Sequence, residues 1–346
     1  MRKCLLLLIL SACLVIPVYG DEITAPPAPD SAQELMPYEQ ESFLDGLIHI
    51  LKTGLNTAAP AFSEALALCG KALAVTLCLI LVRIVAPAAA SPLKLSAAVF
   101  LSWLLLESTD TFIKTAAATV QELSTYGKLL LPVITAALAA QGGSGSAAAL
   151  YGGTAVFDAL LSAAIEKLLV PLVYVFLVLA LLSAATSNEA LRKMKNSLYH
   201  ITTKGLRIVL YIFTGYLTVT GVVGGSADQM QLKAAKLTIS GMVPVVGNIM
   251  ADASETILVS AGLVKSAVGI YGLLAIVATA IVPSLMVAIR YLLLKATAGA
   301  ASLLGGKEEA VLIADFGAAM GLLLAMTMSQ SLLLMISTVC FMKGMG

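Results

Sequence analysis

The sequence predicts an all-α fold, a polytopic helical membrane protein with about six full crossings and two broken or re-entrant hairpins. Three observations predict it. Hydrophobic residues make up 59% of the 346 and charged residues 12%, whereas soluble domains average about 45–50% and about 25%. Apolar spans recur from residue 72 almost to the C-terminus. A leader and an acidic spacer precede them. A net charge of +1 leaves no clustered basic face of the kind that binds phosphate, so nucleic acid is not an expected partner and membrane lipid is.

The N-terminus reads as a signal peptide over residues 1–20. Arg2 and Lys3 precede the apolar run Cys4 to Val18, and Val18-Tyr19-Gly20 offers small residues at the cleavage positions. Leu10-Ser11-Ala12-Cys13 spells the alternative, a lipoprotein box with lipidation at Cys13. Cys69, Cys78 and Cys340 are scattered among apolar segments, a spacing that suggests neither disulfides nor a metal site. No cofactor is expected.

Residues 21–70 form an acidic extracytoplasmic spacer. Asp21, Glu22, Asp30, Glu34, Glu39, Glu41, Asp45 and Glu64 face one basic residue, Lys52, and Pro26, Pro27 and Pro29 oppose an early helix. From Phe43 to Leu68, apolar residues recur at helical spacing (Leu44, Leu47, Ile48, Leu51, Leu55). This predicts an amphipathic helix, lying on the outer face or packed on the rest of the protein.

The crossings are expected at 72–90, 95–106, 168–187, 208–225, 268–289 and 311–341, the last with a break near Ser329 and Gln330. Apolar stretches 128–161 and 237–263 are interrupted by Gly, Pro and polar residues and read as broken hairpins, with Pro132, Gly142, Gly143 and Pro244 marking the breaks. An exported N-terminus places the loop 188–207 in the cytoplasm. That loop holds the densest basic cluster, Arg192, Lys193, Lys195, Lys204 and Arg207, as the positive-inside rule requires.

Pro132 and Pro171 recur as Pro244 and Pro283 at a constant offset of 112. Leu131-Pro132-Val133-Ile134 pairs with Val243-Pro244-Val245-Val246. The offset suggests a parallel internal repeat. The chain then divides into a first transmembrane hairpin at 71–111 and membrane repeats at 112–223 and 224–346.

Candidate functional residues are the polar ones at membrane depth, because a charge there must face protein or water. Arg83 lies mid-span in the first crossing and Asp315 opens the last. Asp158 flanks the first broken hairpin, and Asn248, Asp252, Glu255 and Lys265 punctuate the second. Asp252 and Glu255 share a helix face at a spacing of three. These residues are candidates for a conduit or a partner surface, although a structural ion pair or snorkelling to the interface is the favoured account of Arg83 and Asp315, and a solvated face that of Asp252 with Glu255.

Enzyme chemistry finds little support. Gly142-Gly143-Ser144-Gly145 matches the serine stretch of rhomboid-type intramembrane proteases, but that mechanism needs a histidine base, and only His49 and His200 exist. The stretch reads better as a turn. Phosphate-binding glycine loops and His-Glu-x-x-His are absent from the sequence.

The run Lys236-Leu-Thr-Ile-Ser-Gly-Met-Val-Pro-Val-Val-Gly247, with Asp252-Ala-Ser-Glu-Thr256 and Leu263-Val-Lys-Ser-Ala-Val-Gly269, strongly resembles the stage III sporulation protein AE family of endospore-forming Firmicutes. The order of signal peptide, acidic spacer and spans is similar too. The resemblance implies a subunit of a channel or secretion-like complex in the mother-cell membrane around the forespore, its N-terminus facing the intermembrane space. The implied partners are the other stage III A proteins and the forespore stage II Q protein, and no catalytic residues are implied. Two alternatives stay open: a stand-alone secondary transporter with its substrate site at the broken hairpins, and an intramembrane serine hydrolase centred on Ser144.

Overall fold

The computed structural model describes residues 24–37, 42–86, 90–140, 144–219 and 267–343. Among them every regular element is helical, and no strand occurs. A single turn, α1 (Asp30–Gln33), is tied to the bundle by its flanks. The Ala28 amide donates to the Tyr271 hydroxyl at 3.2 Å, and Ser31 donates to Glu122 at 2.7 Å. Ala32, Leu35 and Met36 are buried, so this part of the spacer is packed rather than free.

α2 (Phe43–Val85) begins at a capping box in miniature. Ser42 Oγ accepts the Asp45 amide, and Asp45 sits in the first turn, where a carboxylate favours the helix dipole. The helix passes through Pro60 without ending. The predicted amphipathic helix and the first crossing are therefore one element. At about 1.5 Å per residue its 43 residues reach about 65 Å, roughly twice a hydrocarbon core of about 30 Å.

α3 (Ala90–Ala140) is longer still and carries Pro132 inside it. α4 (Ser144–Ala164) runs through a π-helical turn at Ile165–Leu169 into α5 (Val170–Thr186), which ends where Ser187 turns left-handed at φ 52°. In α6 (Glu189–Val219) the Asn188 side chain accepts the Ala190 amide at 2.8 Å. α7 (Ala267–Leu303) contains Pro283, and Gly305 at φ +96° makes the turn into α8 (Lys307–Lys343). A left-handed residue there is cheap only for glycine.

The contacts order these elements as an up-and-down bundle. The Ser124–Asp158 hydrogen bond sets α4 antiparallel to α3. Phe176 meets Tyr199 and Phe157 meets Phe213, so α6 returns along α5 and α4. A Cβ at Gly46 would lie 2.7 Å from Leu274, and one at Gly127 would lie 2.6 Å from Leu334. Those close approaches seat α2 beside α7 and α3 beside α8. One end of the bundle collects Val85, Ala90, Thr186, Glu189, Leu303 and Lys307; the opposite end collects Phe43, Ala140, Ser144, Val219 and Ala267.

The core sits on α8. Of the most apolar stretch of α8, 72% is buried, against 22% for α2. The helix is thus a central post and α2 a peripheral one. One face of α2 packs on α7 through Gly46, Ile50, Gly54 and Ala58, while Leu44, Ile48, Leu55, Phe62 and Leu66 stand exposed.

Among the described residues four helical stretches are long and apolar enough to cross a membrane: Phe43–Val85, Tyr151–Thr186, Val268–Leu303 and Lys307–Met342. The described parts of the six expected crossings fall on different long helices, 72–85 of the first on α2, but 95–106 on α3 and 208–219 on α6 do not belong to those four; residues 87–89 and 220–225 lie outside the described residues. Three expectations need correction. No break occurs near Ser329 and Gln330, where α8 is continuous. Pro132 does not break its helix, which continues to Ala140. Arg83 lies in the last turn of α2 rather than mid-crossing.

Gly142, Gly143, Pro244 and the second broken stretch lie outside the described residues. Of the repeat, the helices bearing Pro171 and Pro283 run in the same direction, an alternation that any up-and-down bundle shares. Their backbones differ, since a π turn precedes Pro171 and regular α-helix surrounds Pro283.

Candidate functional site

Polar side chains gather at two levels of the bundle. At the first, the start of α8 receives three other helices. Arg83 of α2 pairs with Glu309, Lys94 of α3 with Glu308, and Lys195 of α6 with Asp315 at 2.5 Å. Glu308 and Glu309 occupy the first turn of α8, where free amides and the helix dipole favour negative charge.

These pairs differ in burial. The Glu309 side chain is 3% exposed and Lys195 also 3%, whereas Glu308 is 43% exposed. The exposed pair adds little, but stranding either buried charge would be costly. The clasp therefore fixes which helices meet at this end of the bundle.

At the second level, Asp158 of α4 lies 2% exposed between α3 and α8. Its Oδ2 accepts from Ser124 Oγ at 2.9 Å, and its Oδ1 accepts from Gln330 Nε2 at 2.6 Å. No cation lies within ion-pairing distance among the described residues. Two further oxygens here, Gln330 Oε1 and Thr154 Oγ1, are buried without a hydrogen-bond partner. Thr154 stands one helical turn before Asp158.

Between the two levels, the Arg290 guanidinium lies 5.0 Å from the centre of the Phe112 ring, and its Nε and Nη1 have no hydrogen-bond partner. The ring face supplies electrostatic attraction, and Glu64 of α2 adds a longer-range one. Nearby, Tyr174 donates to Asp110 at 2.7 Å, and Lys114 pairs with the same carboxylate at 2.6 Å.

Of the residues singled out from sequence, Arg83, Asp158 and Asp315 are all brought to helix junctions. Asn248, Asp252, Glu255 and Lys265 lie outside the described residues. The basic loop is not a loop but the first half of α6. Arg192 pairs with Glu189, Lys193, Lys204 and Arg207 are exposed, and Lys195 turns inward to Asp315. His49 and His200 are both exposed, on α2 and α6. Sequence reasoning missed Ser124, Gln330, Glu309 and Arg290. A lone polar residue in an apolar run was the available signal for Gln330 and Arg290; Ser124 and Glu309 carried none.

A bundle of helices this long and apolar, with ion pairs at its helix junctions, defines a polytopic helical membrane protein. The pattern of the family described as Stage III sporulation protein AE matches residues 93–344. The chain belongs to the stage III sporulation protein AE family, and membership supports a sporulation-related role. It is 28% identical over 203 residues to the Stage III sporulation protein AE of Bacillus subtilis strain 168, covering 59% of this chain and 51% of that one. The chain thus spans about half the length of the curated relative it matches. No solved structure matches it.

Proposed function

We propose that the chain is a non-enzymatic membrane subunit of a channel or secretion-like complex that joins mother cell and forespore during endospore formation. It resides in the mother-cell membrane around the forespore, its signal peptide removed and its N-terminus in the intermembrane space. Its partners are the other stage III A proteins and the stage II Q protein of the forespore. Helices α3 and α6 complete the six crossings, and the parallel repeat and the broken hairpins at 128–161 and 237–263 belong to the same reading. Asn248, Asp252, Glu255 and Lys265 are its candidate conduit or partner residues.

The observation that carries the reading is the family match over residues 93–344. The outward stripe of α2 supports it physically. Leu44, Ile48, Leu55, Phe62 and Leu66 are each at least half exposed, on a helix about twice the length that hydrocarbon can cover. An apolar stripe extending beyond lipid is expected to meet protein.

The test is Ile48→Glu with Leu55→Glu in an endospore-forming host. The doubly substituted protein should reach the membrane at normal abundance, lose co-purification with its stage III A partners, and abolish late forespore reporter expression. Normal reporter expression after deletion of the whole gene would overturn the proposal. The stripe alone is refuted if the complex survives both glutamates.

A further inference from the structure

The Asp158 junction holds an imbalance that the complex-subunit reading leaves unused. A carboxylate is costly to bury unless a cation or hydrogen bonds compensate it, and here, among the described residues, two neutral donors serve it while no cation pairs with it. Among the described residues the charge that acts on it is Lys128, exposed on α3 one turn beyond Ser124 and outside ion-pairing distance. From α8 the facing side chain is Gln330, which is uncharged.

The oxygens around the carboxylate are also unbalanced. Gln330 is 0% exposed, and because its Nε2 bonds Asp158, its Oε1 is held in the same junction, yet that oxygen accepts from nothing. Thr154 is likewise 0% exposed with an idle Oγ1. Buried polar atoms in a folded protein are nearly always satisfied, so an idle acceptor beside an uncompensated negative charge calls for a positive partner.

We propose that Asp158, Gln330, Ser124 and Thr154 form a binding site for one compact monovalent cation, a sodium ion or a proton, at the junction of α3, α4 and α8. The donors are all oxygen, which suits hard cations. A single carboxylate matches a single positive charge; calcium and magnesium sites recruit more ligands and more negative charge. Binding joins three helices at the level where α8 is most enclosed, so occupancy tightens the bundle. A proton would sit on Asp158 with Gln330 Oε1 as its acceptor after the amide turns over, whereas sodium would draw both Gln330 Oε1 and Thr154 Oγ1 toward the carboxylate.

The test uses the full chain purified in detergent, followed by its thermal transition at constant ionic strength with choline exchanged for sodium, and again in choline alone as pH is lowered. A saturable rise of the apparent transition temperature with sodium identifies sodium as the occupant. Indifference to sodium with a rise on acidification identifies the proton. In either case Asp158→Asn must abolish the dependence, and Glu122→Gln, a surface carboxylate on α3, must retain it. Should Asp158→Asn fail to fold, Gln330→Ala serves instead, with at least a tenfold weaker half-saturation by the same ion. A wild-type transition indifferent to both ions overturns the proposal, as does an undiminished response in Asp158→Asn.

Discussion

Replacing Lys195 by Met strands Asp315 at the clasp, and the geometry sets the size of the effect. The Lys195 side chain is 3% exposed and Asp315 13%, and their Nζ and Oδ2 atoms stand 2.5 Å apart. Removing one member of such a pair costs about 3–5 kcal/mol, because the survivor keeps its desolvation penalty without its partner. Asp315 retains some contact with water, so about 3 kcal/mol is expected for Lys195→Met. Asp315→Leu, which strands an almost fully buried ammonium, should cost nearer 5 kcal/mol, about the upper end of that range. The double variant Lys195→Met/Asp315→Leu fills the same space with apolar atoms and should fall within about 1–2 kcal/mol of the natural protein.

A double-mutant cycle on the detergent-solubilised chain reads these values as shifts in apparent transition temperature. At about 2 °C per kcal/mol, suited to a large chain, Lys195→Met should lower the transition by about 6 °C, and the second substitution should recover most of the loss. The reasoning is refuted if the double variant loses the sum of the two single losses. It is equally refuted if Lys195→Met alone is neutral, since an exposed, unpaired lysine would behave that way.

Two further outcomes follow from packing. A Cβ at Gly153 would stand 2.1 Å from the Tyr216 hydroxyl and 2.2 Å from its ring, so Gly153→Ala should force the ring aside at about 1–3 kcal/mol. Adding Tyr216→Ala should relieve part of that, and a neutral Gly153→Ala would mean that α4 and α6 do not meet there. A cysteine at Ser329, on the buried face of continuous α8, should resist a water-soluble maleimide, while one at Ser197, exposed on α6, should label, and under the proposed topology from the cytoplasmic side. Labelling at position 329 would restore the expected break in that helix.

The helical class and the apolar character of the long spans were legible in the chain, because hydropathy is a property of short windows. The roles of single polar residues were not. Lys195 looked like one more cytoplasmic lysine, and its partner lies 120 positions away. Gln330 looked like an interruption of the last crossing. Its amide nitrogen instead donates to Asp158, 172 positions distant, and the helix runs on unbroken. Pro132 misled for a related reason. A long helix packed on neighbours tolerates the missing amide, where an isolated one would bend or end.

Sequence alone therefore determined that this protein is helical, lives in lipid and belongs among sporulation proteins of stage III, since composition, apolar runs and a local signature each survive without knowing what touches what. Tertiary structure decided that α8 is the central post, that Arg83, Lys94 and Lys195 converge on it, and that Asp158 meets Ser124 and Gln330. In an up-and-down bundle, residues a hundred or more positions apart come to share one level. Whether a buried charge is paired, bonded or left wanting depends on those neighbours, which no window of sequence contains.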